Sequence, residues 1–144
     1  MSTIIVSGYS TMSAFGKILR TSCIIKKRGP GDTIAFSEKE DGSQGIPYQP
    51  LQFPLGTWIV GAPEATTHPL MAPYFIPTNA HQIVPGLYGD GVYADDFGYG
   101  IHFDAQFEET WGCLHLYSSD DAKWLAGEVL DCQKSGEIVQ LVVS

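Results

Sequence analysis

Basic residues are scarce in this chain: eight Lys and Arg stand against sixteen Asp and Glu, for a formal net charge of −8. Nucleic-acid binding needs clustered cations to neutralise phosphates, so it is not expected as the protein's work. The one basic cluster, Lys26-Lys27-Arg28, runs straight into Gly-Pro-Gly-Asp and reads as a solvated strand end and turn. Cysteine is sparse too. Cys23, Cys113 and Cys132 make an odd count with no C-x-x-C spacing, which suggests neither a disulfide framework nor a thiolate zinc site. Long apolar runs are missing, so no transmembrane segment is read. The start, MSTIIVSGYSTM, has no basic segment ahead of an apolar core, and synthesis in the cytoplasm without a signal peptide is expected. With no internal repeat, low-complexity tract or linker, the 144 residues are expected to form a single domain, 1–144. No cofactor or metal is expected.

What is there is β-rich. TIIVSG, KILRTSCII, DTIAFS, GTWIVGA, PYFIPT, GYGIHF, CLHLY and EIVQLVV are short, rich in β-branched and aromatic residues, and separated by Gly, Pro and Asp. The pattern predicts a mainly β fold of two packed, mixed or antiparallel sheets. Residues 37–54 carry charges, glycines and prolines together and read as an exposed connection. One helix is expected after Cys113, from about Asp120 to Leu130. Ser118 or Ser119 caps it, Asp120 and Asp121 favour its first turn, and Ala122, Leu125, Ala126 and Val129 recur at i, i+3, i+4 and i+7. It should stop before Gly136, leaving EIVQLVVS as a closing buried strand.

The chemistry concentrates in GIHFDAQFEETWGCLHLYSSDDAKWL, Gly100 to Leu125. A cysteine nucleophile needs a base nearby, a partly open site and donors for the oxyanion formed on attack. Gly112 removes a side chain beside Cys113, and the amides of Trp111, Gly112 and Cys113 are candidate oxyanion donors. His102 ends a strand-like run that a neighbouring strand can bring to the sulfur. Cys23 and Cys132 read as structural thiols. The stretch GLYGDGVYADDFGYG, Gly86 to Gly100, reads as a hairpin with an acidic turn; the functional alternative is a wall of the substrate groove, which would include Tyr99.

This segment resembles the catalytic stretch of the L,D-transpeptidase catalytic domain family, which carries Ile-His-Gly, a variable stretch, Ser-His-Gly-Cys-(Ile/Val)-Arg-(Leu/Met) and an Asp-containing helix start. Ile101-His102, Gly112-Cys113-Leu114, Leu116 and SSDDAKWL match it. Upstream, FPLGTWIVGAP looks like the family's Thr-Pro-x-Gly-x-(Phe/Tyr) strand entry, with Pro54, Gly56 and Trp58 in register. The resemblance implies acyl transfer on peptidoglycan stem peptides. Cys113 would form a thioester, His102 would serve as general base and acid, and an amine or water would capture the acyl group. Transpeptidation, D-amino-acid exchange and carboxypeptidase or endopeptidase cleavage are the possible outcomes. Such work takes place in the periplasm or cell wall after delivery or release. A phage lysis factor or an injected effector fits best and an unconventionally exported cell-wall enzyme stays open, with a secretion carrier or immunity protein as partner.

The chain departs from the family pattern. Phe103 replaces the glycine after the histidine, Thr110 the serine, Trp111 a histidine, and His115 the arginine two after the cysteine. Histidine only partly replaces arginine's fixed charge and fork of donors. His115 is therefore expected either to bind substrate or to be a buried strand histidine. Asp104, two residues beyond His102, is a candidate to hold its ring. Two other readings remain open: a zinc-dependent peptidoglycan peptidase using His102, Asp104, His115 and His68 or His81, and an inactive wall- or partner-binding module.

Overall fold

The structure, a computed structural model, describes residues 1–25, 35–38, 44–48, 50–69, 71–86, 91, 93–104, 110 and 112–144, with only the backbone of 35–38 and 44–47. The basic cluster 26–28, Trp111 and Tyr88 lie outside the described residues.

The strands are β1 (Ser2–Ser7), β2 (Thr11–Ala14), β3 (Lys17–Ser22), β4 (Ala35–Glu38), β5 (Gln44–Tyr48), β6 (Gly56–Ile59) and β7 (Glu64–Ala65). They continue as β8 (Tyr74–Pro77), β9 (His81–Pro85), β10 (Tyr93–Phe97), β11 (Gly100–Phe103) and β12 (Leu114–Leu116), then helix α1 (Ser119–Lys134) and β13 (Val139–Val143). The chain is mainly β with one helix among the described residues. Nine strands form one mixed sheet in the order β6-β13-β1-β2-β3-β12-β11-β8-β7, and β9–β10 and β4–β5 are separate hairpins. The halves on either side of the β3–β12 pairing are thus continuous. The sheet curls until its far strands meet. Val60 bridges Thr78, the Gly61 amide donates to Pro77 O at 2.8 Å, and the Asn79 amide donates to Ile59 O at 3.0 Å.

Alternation decides what fills the interior. Ile4 and Val6 on β1, Met12 on β2, Leu19 on β3, Ile76 on β8, Ile101 on β11, Leu114 and Leu116 on β12 and Val139 and Leu141 on β13 join one core cluster. The helix adds Ala122, Leu125, Ala126 and Val129 to that cluster. Complete burial of Leu125 and Val129 contributes about 3–6 kcal/mol by apolar transfer. Ser118 is the cap, its hydroxyl accepting from the Asp120 and Asp121 amides at 3.2 and 3.3 Å. The helix runs four residues beyond the expected Leu130, then ends at Ser135, with Gly136 at φ +82° where L side chains are disfavoured.

The stretch 37–54, read as a connection, contains β5, whose Gly45 and Pro47 break the alternation that marks a strand. Gly86 to Gly100 contains the second strand of a hairpin, β10, paired antiparallel with β9. Asp95 and Asp96 lie on that strand, opposite Ile83 and Gln82.

Candidate active site

Strands β11 and β12 pair in parallel, Ile101 opposite Leu114, His102 opposite His115 and Phe103 opposite Leu116. Ile101, Leu114 and Leu116 point into the core, so His102 and His115 face the opposite side of the sheet. The register extends that face across five strands as a row: Ser22, His115, His102, Phe75 and Glu64.

Cys113 immediately precedes β12, beside Gly100 at the start of β11. Its sulfur accepts from the Gly100 amide at 3.4 Å and lies 3.9 Å from Gly98 O, to which the thiol donates. The residue keeps partial solvent access. Burial of the sulfur is nonetheless the chief influence that pushes the thiol up to about 12, against the lowering effect of the Gly100 N–H, with Cys23 and the Asp96 charge adding to the rise. The resting group is therefore a protonated thiol. His102 lies two residues along the neighbouring strand, one row from Cys113. Strand rise and spacing put such backbone positions roughly 8 Å apart, a span that the two side chains can bridge.

His102 is buried, and its Nδ1 lies 2.9 Å from Phe103 O. A carbonyl only accepts, so Nδ1 carries the hydrogen and the neutral ring keeps its lone pair on Nε2, the tautomer a base requires. Burial holds His102 below the usual histidine range, countered by the Phe103 carbonyl and the Asp104 charge, with His68 adding to the lowering. The candidate ring-holder is thus a backbone carbonyl. Asp104 instead lies beside His115, with Oδ2 3.4 Å from Nδ1. That pair is close enough for an ion pair, yet it lacks hydrogen-bond alignment and leaves His115 Nδ1 without a hydrogen bond. Burial first, then His102, depresses His115 to about 4, against the Asp104 charge, so this ring is neutral at pH 7.

The remaining sequence-predicted residues support the backbone around the sulfur. Thr110 is buried; its amide donates to Ile24 O at 2.7 Å and its Oγ1 accepts from the Gly112 amide at 3.2 Å. In this state the Gly112 N–H is therefore engaged internally. Gly112 has φ +122°, and a Cβ there would stand 2.5 Å from Tyr99 Cε1 and 2.8 Å from Leu51 O. Tyr99 is only 2% exposed, so it lies behind the sulfur's loop with its ring edge against Phe53. Cys23 packs beneath, donating to Gly112 O and accepting from the Phe53 amide, both at 3.3 Å, with its thiol pushed up to about 11 chiefly by burial.

The residue-level reading of the sequence missed Gly98, Gly100, Phe75 and the acid behind the loop. A Cβ on Gly100 would meet Phe75 Cζ at 2.4 Å and Ile76 O at 2.6 Å, so the Phe75 ring lies across that glycine. Asp96 is buried and accepts from Tyr48 OH at 2.7 Å and Tyr99 OH at 2.6 Å. Gln82 Nε2 donates to Tyr99 OH at 2.8 Å and to Gln52 O at 2.7 Å. The available signal was the Gly-Tyr-Gly run beside a strand bearing Asp-Asp, but their pairing with Cys113 and Tyr48 is long-range. Among the described residues, no three His, Cys, Asp or Glu side chains are grouped to hold a metal ion. His81 pairs with Asp95 at 3.1 Å on the separate β9–β10 hairpin.

Comparison with protein-family models, curated proteins and solved structures finds no match.

Proposed function

We propose that the protein is a cysteine acyltransferase or peptidase of the L,D-transpeptidase kind, acting on peptidoglycan stem peptides. The observation that carries the reading is the partly accessible residue Cys113, its sulfur on the Gly100 amide, one row from a His102 whose Nδ1–H is tied to Phe103 O. The Gly-Cys-aliphatic and Ile-His matches, in family order, supply the substrate class. In this reading His102 Nε2 removes the thiol proton as Cys113 Sγ attacks the carbonyl at the L-centre of the stem peptide. The C–N bond then breaks, the leaving D-amino acid takes the proton from His102, and a thioester remains for an amine or water. A thiol near 12 and a neutral imidazole argue for proton transfer concerted with attack, not a standing thiolate–imidazolium pair.

The substrate sets the work in the periplasm or cell wall, reached by delivery or release. A secretion carrier or an immunity protein is the partner class that setting implies. No described helix is long and apolar enough to cross a membrane.

One alternative has an observation behind it. The raised thiol and the lack of a His102–Cys113 hydrogen bond among the described residues favour a module that binds wall peptides without turnover. Incubation with purified tetrapeptide muropeptides, read by mass, separates the two. Loss of the terminal D-amino acid, its exchange, or dimer formation, each abolished in Cys113→Ala, supports the enzyme. Muropeptide binding without product or thioester adduct would establish the module.

A further inference from the structure

We propose that Asp96 is a positioning residue for Cys113, acting through Tyr99 on the Gly98–Gly100 backbone that holds the sulfur. It deepens the reading of Cys113 as nucleophile and rests on it. Three observations meet at Tyr99. Its two neighbours touch the sulfur, Gly98 through its carbonyl and Gly100 through its amide. Its ring occupies the space a Cβ on Gly112 would need, directly before Cys113. Its hydroxyl donates to the buried Asp96 carboxylate at 2.6 Å, and its backbone carbonyl accepts from Thr78 Oγ1 at 2.6 Å. The segment that grips the sulfur is thereby fixed from below by one carboxylate, whose other oxygen accepts from Tyr48 at 2.7 Å.

Both Asp96 oxygens accept from hydroxyls, the arrangement an ionised carboxylate uses. Tyr99 stays a donor, since burial first and then Asp96 raise its phenol above the usual range. The same negative charge stands near the sulfur and opposes thiolate formation, alongside Cys23 from the end of β3. Among the described residues, the other titratable groups near the site include the imidazoles of His102 on β11 and His115 on β12, both below the usual histidine range, with Asp104 beside His115 and His68 acting on His102. Asp96 thus has two effects on one atom: it places the sulfur, and its charge adds to the burial that keeps the sulfur a thiol.

The test reads the thiol itself. Alkylation of Cys113 at pH 8 is followed by peptide mass in a Cys132→Ser background, with neutral iodoacetamide and anionic iodoacetate. Asp96→Asn keeps the shape and removes the charge. A neighbouring charge shifts a pKa by about one unit. Tenfold more thiolate, less the nucleophilicity lost with basicity, predicts roughly threefold faster labelling by iodoacetamide. Iodoacetate should gain more, because the repelling charge is gone. General opening of the pocket, with the charge at the sulfur unchanged, would speed both reagents equally, and that result, or unchanged rates, overturns the proposal. Tyr99→Phe keeps the ring on Gly112 but cuts the tether, which loosens the Gly100 amide and leaves Asp96 less neutralised. It should label more slowly, and it decides the matter if Asp96→Asn does not fold; an unchanged Tyr99→Phe rate then overturns it. If muropeptides give no product while these labelling shifts appear, the functional reading fails and the positioning role stands.

Discussion

His115 stands directly beside His102 on the adjacent parallel strand, with ring centroids 5.2 Å apart and an interplanar angle of 57°. Burial disfavours protonation of both imidazoles, and a charge on His102 further disfavours protonation of His115. The folded state therefore binds fewer protons than the unfolded chain, in which both rings titrate near 6.5. Stability is fully present above about pH 6.5 and declines as pH falls toward the folded value of about 4 for His115. Thermal unfolding across that window should show a falling melting temperature, and His115→Gln should flatten the decline. A melting temperature independent of pH between 6.5 and 4 would refute the linkage.

Under the proposed reading His115 stands where an arginine would be expected, and its 3% exposure sets the outcome of replacement. His115→Arg puts a longer, permanently charged group into a closed slot. Overpacking alone typically costs about 1–3 kcal/mol, and desolvating the guanidinium, even beside Asp104, adds to it. Urea unfolding should rank wild type above His115→Ala and His115→Ala above His115→Arg. An Arg variant that keeps stability and improves peptide capture would mark His115 as a substrate-carboxylate donor instead.

The pH profile of turnover tests the base. His102 must be neutral to accept the Cys113 proton, and its proton affinity in the folded protein is below the ordinary value. Under the proposed mechanism the acid limb of kcat/KM should have its midpoint below pH 6.5. The thiol near 12 produces no second inflection in the neutral range. A midpoint above 6.5 would contradict the neutral-imidazole scheme.

The helix was legible because its signals are local. Ser118, the two aspartates after it and the stripe from Ala122 to Val129 act within a few residues of each other. That the strand carrying His102 runs beside the one that follows Cys113 was legible in outline from the sequence. Which groups hold the two side chains was not. Asp104 is two residues from His102, yet the parallel register places it beside His115, while a carbonyl holds His102. Tyr99 reads as part of a groove wall, and it is instead buried on Asp96 behind the sulfur's loop. Such pairings depend on register and on contacts between segments distant in sequence, which no local pattern encodes.

The glycines around the sulfur give the sharpest mutational contrast. At Gly112 an added methyl meets both a positive φ of 122° and two close neighbours, one of them the fixed backbone oxygen of Leu51 at 2.8 Å. Backbone strain of about 1–2 kcal/mol and overpacking of about 1–3 kcal/mol together predict that Gly112→Ala loses stability. At Gly100 the backbone conformation suits any residue, but the methyl would lie 2.6 Å from Ile76 O and 2.4 Å from the Phe75 ring. Phe75 is partly exposed and can swing, whereas the Ile76 carbonyl lies in the β8–β11 ladder and cannot. Gly100→Ala should therefore be destabilised as well, and Phe75→Ala should not rescue it. If Phe75→Ala does restore stability, the ring and not the carbonyl is the true obstacle. Gly98 is different: its φ is +90°, but nothing lies within 4 Å of an added Cβ. Gly98→Ala should show only the backbone strain of about 1–2 kcal/mol in urea unfolding, and a loss as large as that of Gly112→Ala would refute this account of the loop.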